Sequence, residues 1–335
     1  MSQRIDREHF AAEILKHDNI LILTHSHPDG DTAGTGIALY NVLAAAGKNA
    51  AVACTDILPA QTQFLYDFAD GKNVYFGKEF EGEFSPSYIV SVDVASNMLI
   101  GSALADYAKN ISLALDHHDI NSLSCGLLFD EEFSSSAGET LYFTILEMEK
   151  IEKKSLISKN TACALYAAIS SDSGNFKFSN TKGRTMRAAG ELIELGAQNA
   201  EIARKLFDIK SIGTFKAEAL CTQNVTFFAG GKIALSFIPR NQMAENSIDE
   251  TELDTCVQLL RMIEGVEAAI FVKEKTGDDG VEKYRLSMRS NEYVDVAKVC
   301  ALFDGGGHKK AAGCTVFGSL SEVVSKVVEA VVKEL

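Results

Sequence analysis

Asn19-Ile20-Leu21-Ile22-Leu23-Thr24-His25-Ser26-His27-Pro28-Asp29-Gly30-Asp31 is the stretch whose reading decides the fold. Its first six residues form a short apolar run, the signature of a strand buried on both faces. Pro28 and Gly30 then shape a turn that carries two imidazoles and two carboxylates. Residues 32–46 continue as a helix with small residues on its packing face, closed by Gly47. A buried strand, a polar turn and a helix in that order make a β-α unit of a parallel sheet.

The same rhythm continues along the first half. Residues 50–54, 88–92 and 111–115 read as further apolar strands, and helical patterns separate them. The strand over 88–92 ends in Asp93, and the strand over 111–115 ends in Asp116-His117-His118. Ligands of open α/β sheets collect beyond the carboxyl ends of the strands, so these residues, far apart in sequence, are expected close in space. Helices are expected over 136–153, 159–171 and 181–195, the second stopped at Asp172-Ser173-Gly174. Ser134-Ser135-Ser136 reads as a helix cap with Glu139 completing a capping box, and a helix start there would also favour a phosphate.

A different pattern begins near Glu218. Residues 225–229 and 232–238 read as a hairpin around Gly230-Gly231, followed by a helix over 249–263. Residues 268–273 and 283–289 form a second hairpin around Thr276-Gly277-Asp278-Asp279-Gly280. Helices are expected over 294–303 and 321–335. The expected organisation is an α/β domain over 1–195 with a parallel sheet and helices on both faces. A polar linker over 196–217 and a smaller α+β domain over 218–335 follow.

Composition bounds the function. The 335 residues suffice for two cores, and 46% apolar with 23% charged residues is ordinary for a globular protein. A net charge of −14 disfavours binding to long nucleic acid, which relies on a positive surface. The seven cysteines show no Cys-x-x-Cys pair and read as small buried hydrophobes of a reducing compartment. With no signal-peptide pattern and no apolar run near membrane-spanning length, a cytoplasmic protein without membrane contact is the expectation. A homodimer is compatible with the sequence, although no interface argues for it.

Each polar motif alone has a plain structural reading as a turn, a helix stop or a surface pair. Together, at strand and helix ends, they supply the carboxylates and imidazoles that hold divalent metals. Several Asp with two His suit Mn²⁺ best, with Mg²⁺ or Co²⁺ as alternatives. Two such ions can share a hydroxide and clamp an in-line phosphoryl displacement, with no side-chain nucleophile. His27 points away if the turn alternates, which gives it a structural role or one behind the metal ligands. In the second domain, Gly305-Gly306-Gly307-His308-Lys309-Lys310 reads as a backbone anion nest. Arg289, in Ser287-Met288-Arg289-Ser290, is a second candidate for holding a phosphate.

These motifs resemble the DHH/DHHA1 phosphoesterase family over nearly the whole length. They are His25-x-x-Pro28-Asp29-x-Asp31, Asp93, Asp116-His117-His118, Ser135-Ser136-Ala137-Gly138-Glu139, Asp172, and Gly305-Gly306-Gly307-His308 with Ala311-Ala312-Gly313. Within the family the chain is most similar to the bacterial oligoribonuclease (nanoRNase) and 3′-phosphoadenosine 5′-phosphate phosphatase group. The resemblance implies one metal at His25, Asp29 and Asp93, and a second at Asp31, Asp93, His117 and Asp172. It implies His118 against the scissile phosphate, with Asp116 orienting the histidines. It also implies a substrate held at Arg289, Ser290, Gly306, Gly307, His308 and Lys309, in a cleft between the domains. One departure is visible: the family's glycine loop often has four glycines after an aromatic residue, and here Asp304 follows Phe303.

The expected activity is hydrolysis of short oligoribonucleotides to nucleoside monophosphates, with 3′-phosphoadenosine 5′-phosphate as a further substrate. The alternatives are a phosphodiesterase for cyclic or linear dinucleotides, a single-strand DNA exonuclease, and a catalytically dead nucleotide-binding module. The absence of any degenerate metal position argues against the last.

Overall fold

The structure is a computed structural model that describes residues 2–77, 80, 84–118, 120–131, 133–276 and 282–335. The chain divides into two compact units, Met1–Ile209 and Lys210–Leu335.

The first unit is built on a seven-stranded, wholly parallel sheet. Its strands are β1 (Gln3–Arg4), β2 (Ile20–Leu23), β3 (Ala50–Cys54), β4 (Val74–Phe76), β5 (Tyr88–Val92), β6 (Leu113–Asp116) and β7 (Leu127–Asp130), in the order β1-β7-β6-β5-β2-β3-β4. Alternate strand residues enter two cores. Ile20, Ile22, Val90 and Leu115 pack with the long helices Gly30–Ala45, Ala137–Glu152 and Lys159–Asp172, while Leu21, Leu23, Ile89 and Ala114 pack with Ile100, Leu104 and Ala108. Burial on both faces is why these strands read as unbroken apolar runs. Helix Gly30–Ala45 is buried from Gly30 through Leu43, as expected of a helix packed on all sides. A Cβ at Gly34 would stand 2.5 Å from the carbonyl oxygen of Ala164, so the small residues there set how closely the helices approach.

From β2 the chain runs outward through β3 and β4, then returns to β5 on the other side of β2. The sheet therefore has its switch point between the ends of β2 and β5, where helices diverge and leave a crevice. The two-residue β1, the three-residue β4 and β7 were not foreseen. The edge strands β1 and β4 carry too few residues for a periodic signal, and in β7, which lies inside the sheet, the apolar run Leu127-Leu128-Phe129 is only three residues long.

The second unit holds a six-stranded mixed sheet. Its strands are β8 (Thr226–Phe228), β9 (Ile233–Phe237), β10 (Ala268–Thr276), β11 (Glu282–Ser290), β12 (Gly306–His308) and β13 (Ala311–Phe317), in the order β12-β13-β11-β10-β9-β8. Helices Val296–Ala301 and Leu320–Val332 cover one face through Ile270, Leu286, Met288 and Val316. Helices Ile212–Gln223 and Cys256–Arg261 cover the other face through a core drawn from β9 and β10, with residues such as Ala234 and Phe271, and Cys256–Arg261 also lies against β11. On that second face no residue of β11 or β13 is buried.

Three local expectations change. The helix expected over 249–263 is a 3₁₀ turn, Glu250–Leu253, followed by the α-helix Cys256–Arg261. Helix Arg240–Asn246 was not foreseen. The glycine segment is strand β12, paired with β13, rather than a free loop nest, because pairing satisfies peptide groups that a loop would leave to a ligand. The turn at Gly277-Asp278-Asp279-Gly280 lies outside the described residues.

Candidate metal centre

The turn after β2 and the residues after β5 and β6 meet at the switch point. Asp29 caps helix Gly30–Ala45, its Oδ1 accepting the Thr32 N–H at 2.9 Å. One residue into that helix, Asp31 is fully buried. Its carboxylate accepts the Ala137 N–H at 2.7 Å, the Gly138 N–H at 2.9 Å and the Thr35 hydroxyl at 3.1 Å. The positive end of helix Ala137–Glu152 is thus occupied by a carboxylate of the chain itself, which corrects its reading as a phosphate seat. Gly138 allows this approach, since a Cβ there would meet Ala168 Cβ at 2.5 Å and Asp31 Oδ1 at 3.2 Å.

The Ser134-Ser135-Ser136 turn is a cap, with Ser136 Oγ accepting the Glu139 N–H at 3.0 Å. Glu139, however, reaches back to Ser135 rather than Ser136, accepting its N–H at 3.1 Å and its hydroxyl at 2.6 Å. Fully buried, Glu139 is paired with Arg184 Nε at 2.6 Å and accepts the Thr185 hydroxyl at 2.7 Å.

Asp93 is 3% exposed and holds a left-handed backbone at φ 57°. Its Oδ2 accepts the Thr32 hydroxyl at 2.5 Å and lies 3.4 Å from His25 Nε2. Its Oδ1, although buried, accepts no hydrogen bond among the described residues. His117 Nε2 stands 3.6 Å from that oxygen, 3.6 Å from Asp31 Oδ2 and 3.4 Å from Asp172 Oδ2. Asp172 ends helix Lys159–Asp172. His118 donates or accepts through Nδ1 at 2.8 Å to Asp116 Oδ1, and Asp116 is fully buried. His27 turns outward, 91% exposed, against Asp56 at 2.9 Å.

Burial raises Asp31 well above the ordinary carboxylate range, and Asp93 and Asp172 add to it by repulsion. Asp172 is pushed up to about 7 by burial, then by Asp29 and Asp93. Burial opposes a charge on Asp93 too, but the imidazoles of His117 and His25 hold it far below the usual range. Burial likewise lowers His25 and His117, yet Asp93 outweighs it and raises each to about 9. His118 is raised by its bond to Asp116.

Three sets of ligand atoms lie close enough to share a cation: His25, Asp29 and Asp93; Asp31, His117 and Asp172; and Asp93, His117 and His118. A divalent cation fits this pocket. It would give Asp93 Oδ1 the partner it lacks and relieve the repulsion among Asp31, Asp93 and Asp172. Thr32, which hydrogen-bonds both His25 Nε2 and Asp93, was missed by sequence reasoning, although its place directly after Asp31 is a usable signal. Arg184 was also missed, and no local signal could reveal a pairing 45 residues away from Glu139.

The second unit positions the remaining candidates. Arg289 lies opposite Ala311 across β11 and β13, and His308 lies opposite Ala311 across β12 and β13. Directly paired residues share a sheet face, so Arg289 and His308 stand in one row on the face left uncovered. Ser290 is buried and donates to the Val294 carbonyl at 2.7 Å, so its hydroxyl is committed to the protein. Gly307, at φ 143°, lets β12 lie against β13, since a Cβ there would meet the Ala311 carbonyl oxygen at 2.5 Å. Gly306, His308 and Lys309 are exposed.

Comparison with known proteins follows the same division. Residues 19–169 match the DHH family, N-terminal domain, and residues 230–334 match the DHHA1 domain. The bifunctional oligoribonuclease and PAP phosphatase NrnA of Thermus thermophilus is 28% identical over 98% of this chain and 95% of its own length. The protein of the same name from Bacillus subtilis is 25% identical over 90% of each. The crystal structure of an exopolyphosphatase-related protein from Bacteroides fragilis, 21% identical, shares the fold with a TM-score of 0.85 over 98% of this chain and 96% of that one.

Proposed function

The chain belongs to the DHH family and carries the DHHA1 domain, and from that premise we propose that it is a metal-dependent phosphoesterase. It hydrolyses short oligoribonucleotides to nucleoside monophosphates and converts 3′-phosphoadenosine 5′-phosphate to AMP. The names of the Thermus thermophilus and Bacillus subtilis relatives support this choice of substrates. The observation that carries it is the buried, unpartnered Oδ1 of Asp93, facing His117 among three further carboxylates.

His25, Asp29 and Asp93 would hold one divalent ion, and Asp31, Asp93, His117 and Asp172 a second. The mixture of carboxylate and imidazole favours Mn²⁺. Bound there, such ions supply positive charge against a phosphoryl group and lower the pKa of water toward neutrality. The residues of the chain do the rest. Asp116 binds His118 at Nδ1, so Nε2 is the free nitrogen, and a raised pKa keeps a proton available there for a phosphoryl oxygen. The side chain of His118 is 44% exposed, which leaves it accessible to a substrate. The Ser26 carbonyl accepts from His25 Nδ1 at 2.6 Å and fixes the ring with Nε2 toward the site, where Thr32 links it to Asp93. Arg289, with His308 in its row, would take a substrate phosphate through a planar guanidinium fork.

The test is a time course with purified protein and Mn²⁺ on 5′-phosphorylated oligoribonucleotides of graded length, with 3′-phosphoadenosine 5′-phosphate alongside. Stepwise release of monophosphates, fastest on the shortest chains and lost in Asp93→Ala, is expected. Cleavage of dinucleotides alone would move the activity to dinucleotide turnover, and no cleavage of any substrate would sink the proposal.

A further inference from the structure

The uncovered face of the second sheet continues past Arg289. Along β11 and β13, Arg285 lies opposite Thr315 and Lys283 opposite Phe317, so the four side chains share the face of Arg289 and His308. Thr315, Arg285 and Phe317 are exposed, the phenyl ring by 57%. A cavity of about 590 Å³ opens beside them, bounded also by Leu302, Asp304 and Gly305.

Charge singles this place out. Across β10 and β11, Lys273 faces Arg285 and Lys275 faces Lys283, two cross-strand pairs of like sign. Such pairs are destabilising unless the charge is compensated. On β10 it is compensated, because Lys273 meets Asp254 at 2.6 Å and Lys275 meets Glu250 at 2.5 Å. Arg285 and Lys283 have no such partner among the described residues. In a chain of net charge −14, two adjacent cations with no anionic partner among the described residues favour an anion there.

The neighbours say which anion. Phe317 and Leu302 offer exposed apolar surface on which a planar base can lie. The outer edge of β13 beyond Gly313 has no partner strand among the described residues, which leaves its peptide groups open to a base edge. The Asp304 carboxylate repels phosphate and accepts hydrogen bonds from exocyclic amines, so it orients the base end toward itself and the phosphate toward Arg285. From Arg289 to Arg285 is four residues of strand, roughly 13 Å. That is longer than one phosphate-to-phosphate step of an extended strand and within the reach of two.

Resting on the reading of Arg289 and His308 as the first phosphate seat, we propose that Lys283, Arg285, Thr315 and Phe317 form a second nucleotide subsite for single-stranded RNA. It takes one phosphate and one base, and it binds chains of three or more residues more tightly, with a lower KM, than dinucleotides.

The test uses the full chain in two arms. In excess EDTA, which stops metal-dependent hydrolysis, binding of a fluorescein-labelled tetranucleotide is followed by anisotropy. With Mn²⁺, KM is measured for a dinucleotide and a tetranucleotide. Arg285→Ala and Phe317→Ala are each expected to weaken tetranucleotide binding about tenfold, the scale of one lost stacking contact. Both should raise the ratio of tetranucleotide to dinucleotide KM to a similar degree, while Phe317→Trp preserves both readouts. Unchanged tetranucleotide binding, or an equal effect on both substrates, overturns the subsite. If the unaltered protein cleaves neither substrate, the proposed activity fails, while the EDTA arm still decides the subsite.

Discussion

Asp93 concentrates the chemistry of the first unit in one residue. It holds a left-handed backbone, a conformation that costs a non-glycine residue of order 1–3 kcal/mol and persists where the surroundings impose it. That turn aims one carboxylate oxygen at Thr32 and His25 and leaves the other without a hydrogen bond. The protons around it set a pH dependence. His25 and His117 have folded pKa values raised to about 9. Their contribution to stability is full below their unfolded value and is lost as pH rises through 9. Asp172, raised to about 7, is an acid whose ionisation becomes unfavourable to the fold over the same direction of pH. Metal-free protein is therefore expected to lose thermal stability as pH rises from 6 to 9, as a melting series in chelator would record. Metal affinity moves oppositely, because the ligands must shed those protons. Calorimetric titration with Mn²⁺ should give tighter binding and fewer released protons as pH rises across that window.

At the scale of elements, the first turn of helix Ala137–Glu152 does the positioning. Arg184 holds Glu139, Glu139 holds Ser135, and the following N–H groups of Ala137 and Gly138 hold Asp31. Removing Arg184 leaves a fully buried carboxylate without its cation, so Arg184→Ala is expected to cost about 3–5 kcal/mol in denaturant unfolding. Mn²⁺ affinity should fall with it, since Asp31 loses its anchored donors. Strand β12 makes a second case. Gly307→Ala would set a Cβ against the Ala311 carbonyl and strain the backbone, at a cost of order 1–3 kcal/mol. Displacement of His308 should then appear as a raised KM with little change in kcat. The long buried strands and helices of the first unit were legible from their apolar runs and caps. Helix Arg240–Asn246 and strand β12 were not, for a physical reason. The first buries none of its own residues, and the second becomes a strand only because β13 lies beside it.

The whole molecule joins two units with separate cores, an α/β unit that carries the metal candidates and an α+β unit that carries the open cationic face. A ligand stabilises the unit that holds it. Differential scanning calorimetry is therefore expected to show the transition of the first unit rising with Mn²⁺ and falling in EDTA, with that of the second unit unmoved. One transition shifting as a whole would count against separate unfolding. By itself the sequence determined strands β2, β3, β5 and β6 and the three long helices of the first unit, the family and the residues that gather at the strand ends. The strands and the gathering follow from local periodicity and from the rule that strand carboxyl ends converge, and the family from the resemblance of its motifs. The tertiary structure decided the rest. It placed the switch point between β2 and β5, put Asp31 in the helix start read as a phosphate seat, buried the Arg184–Glu139 pair and uncovered one face of β11 and β13. Each of these depends on contacts between residues far apart in the chain, which no local pattern of polar and apolar residues encodes.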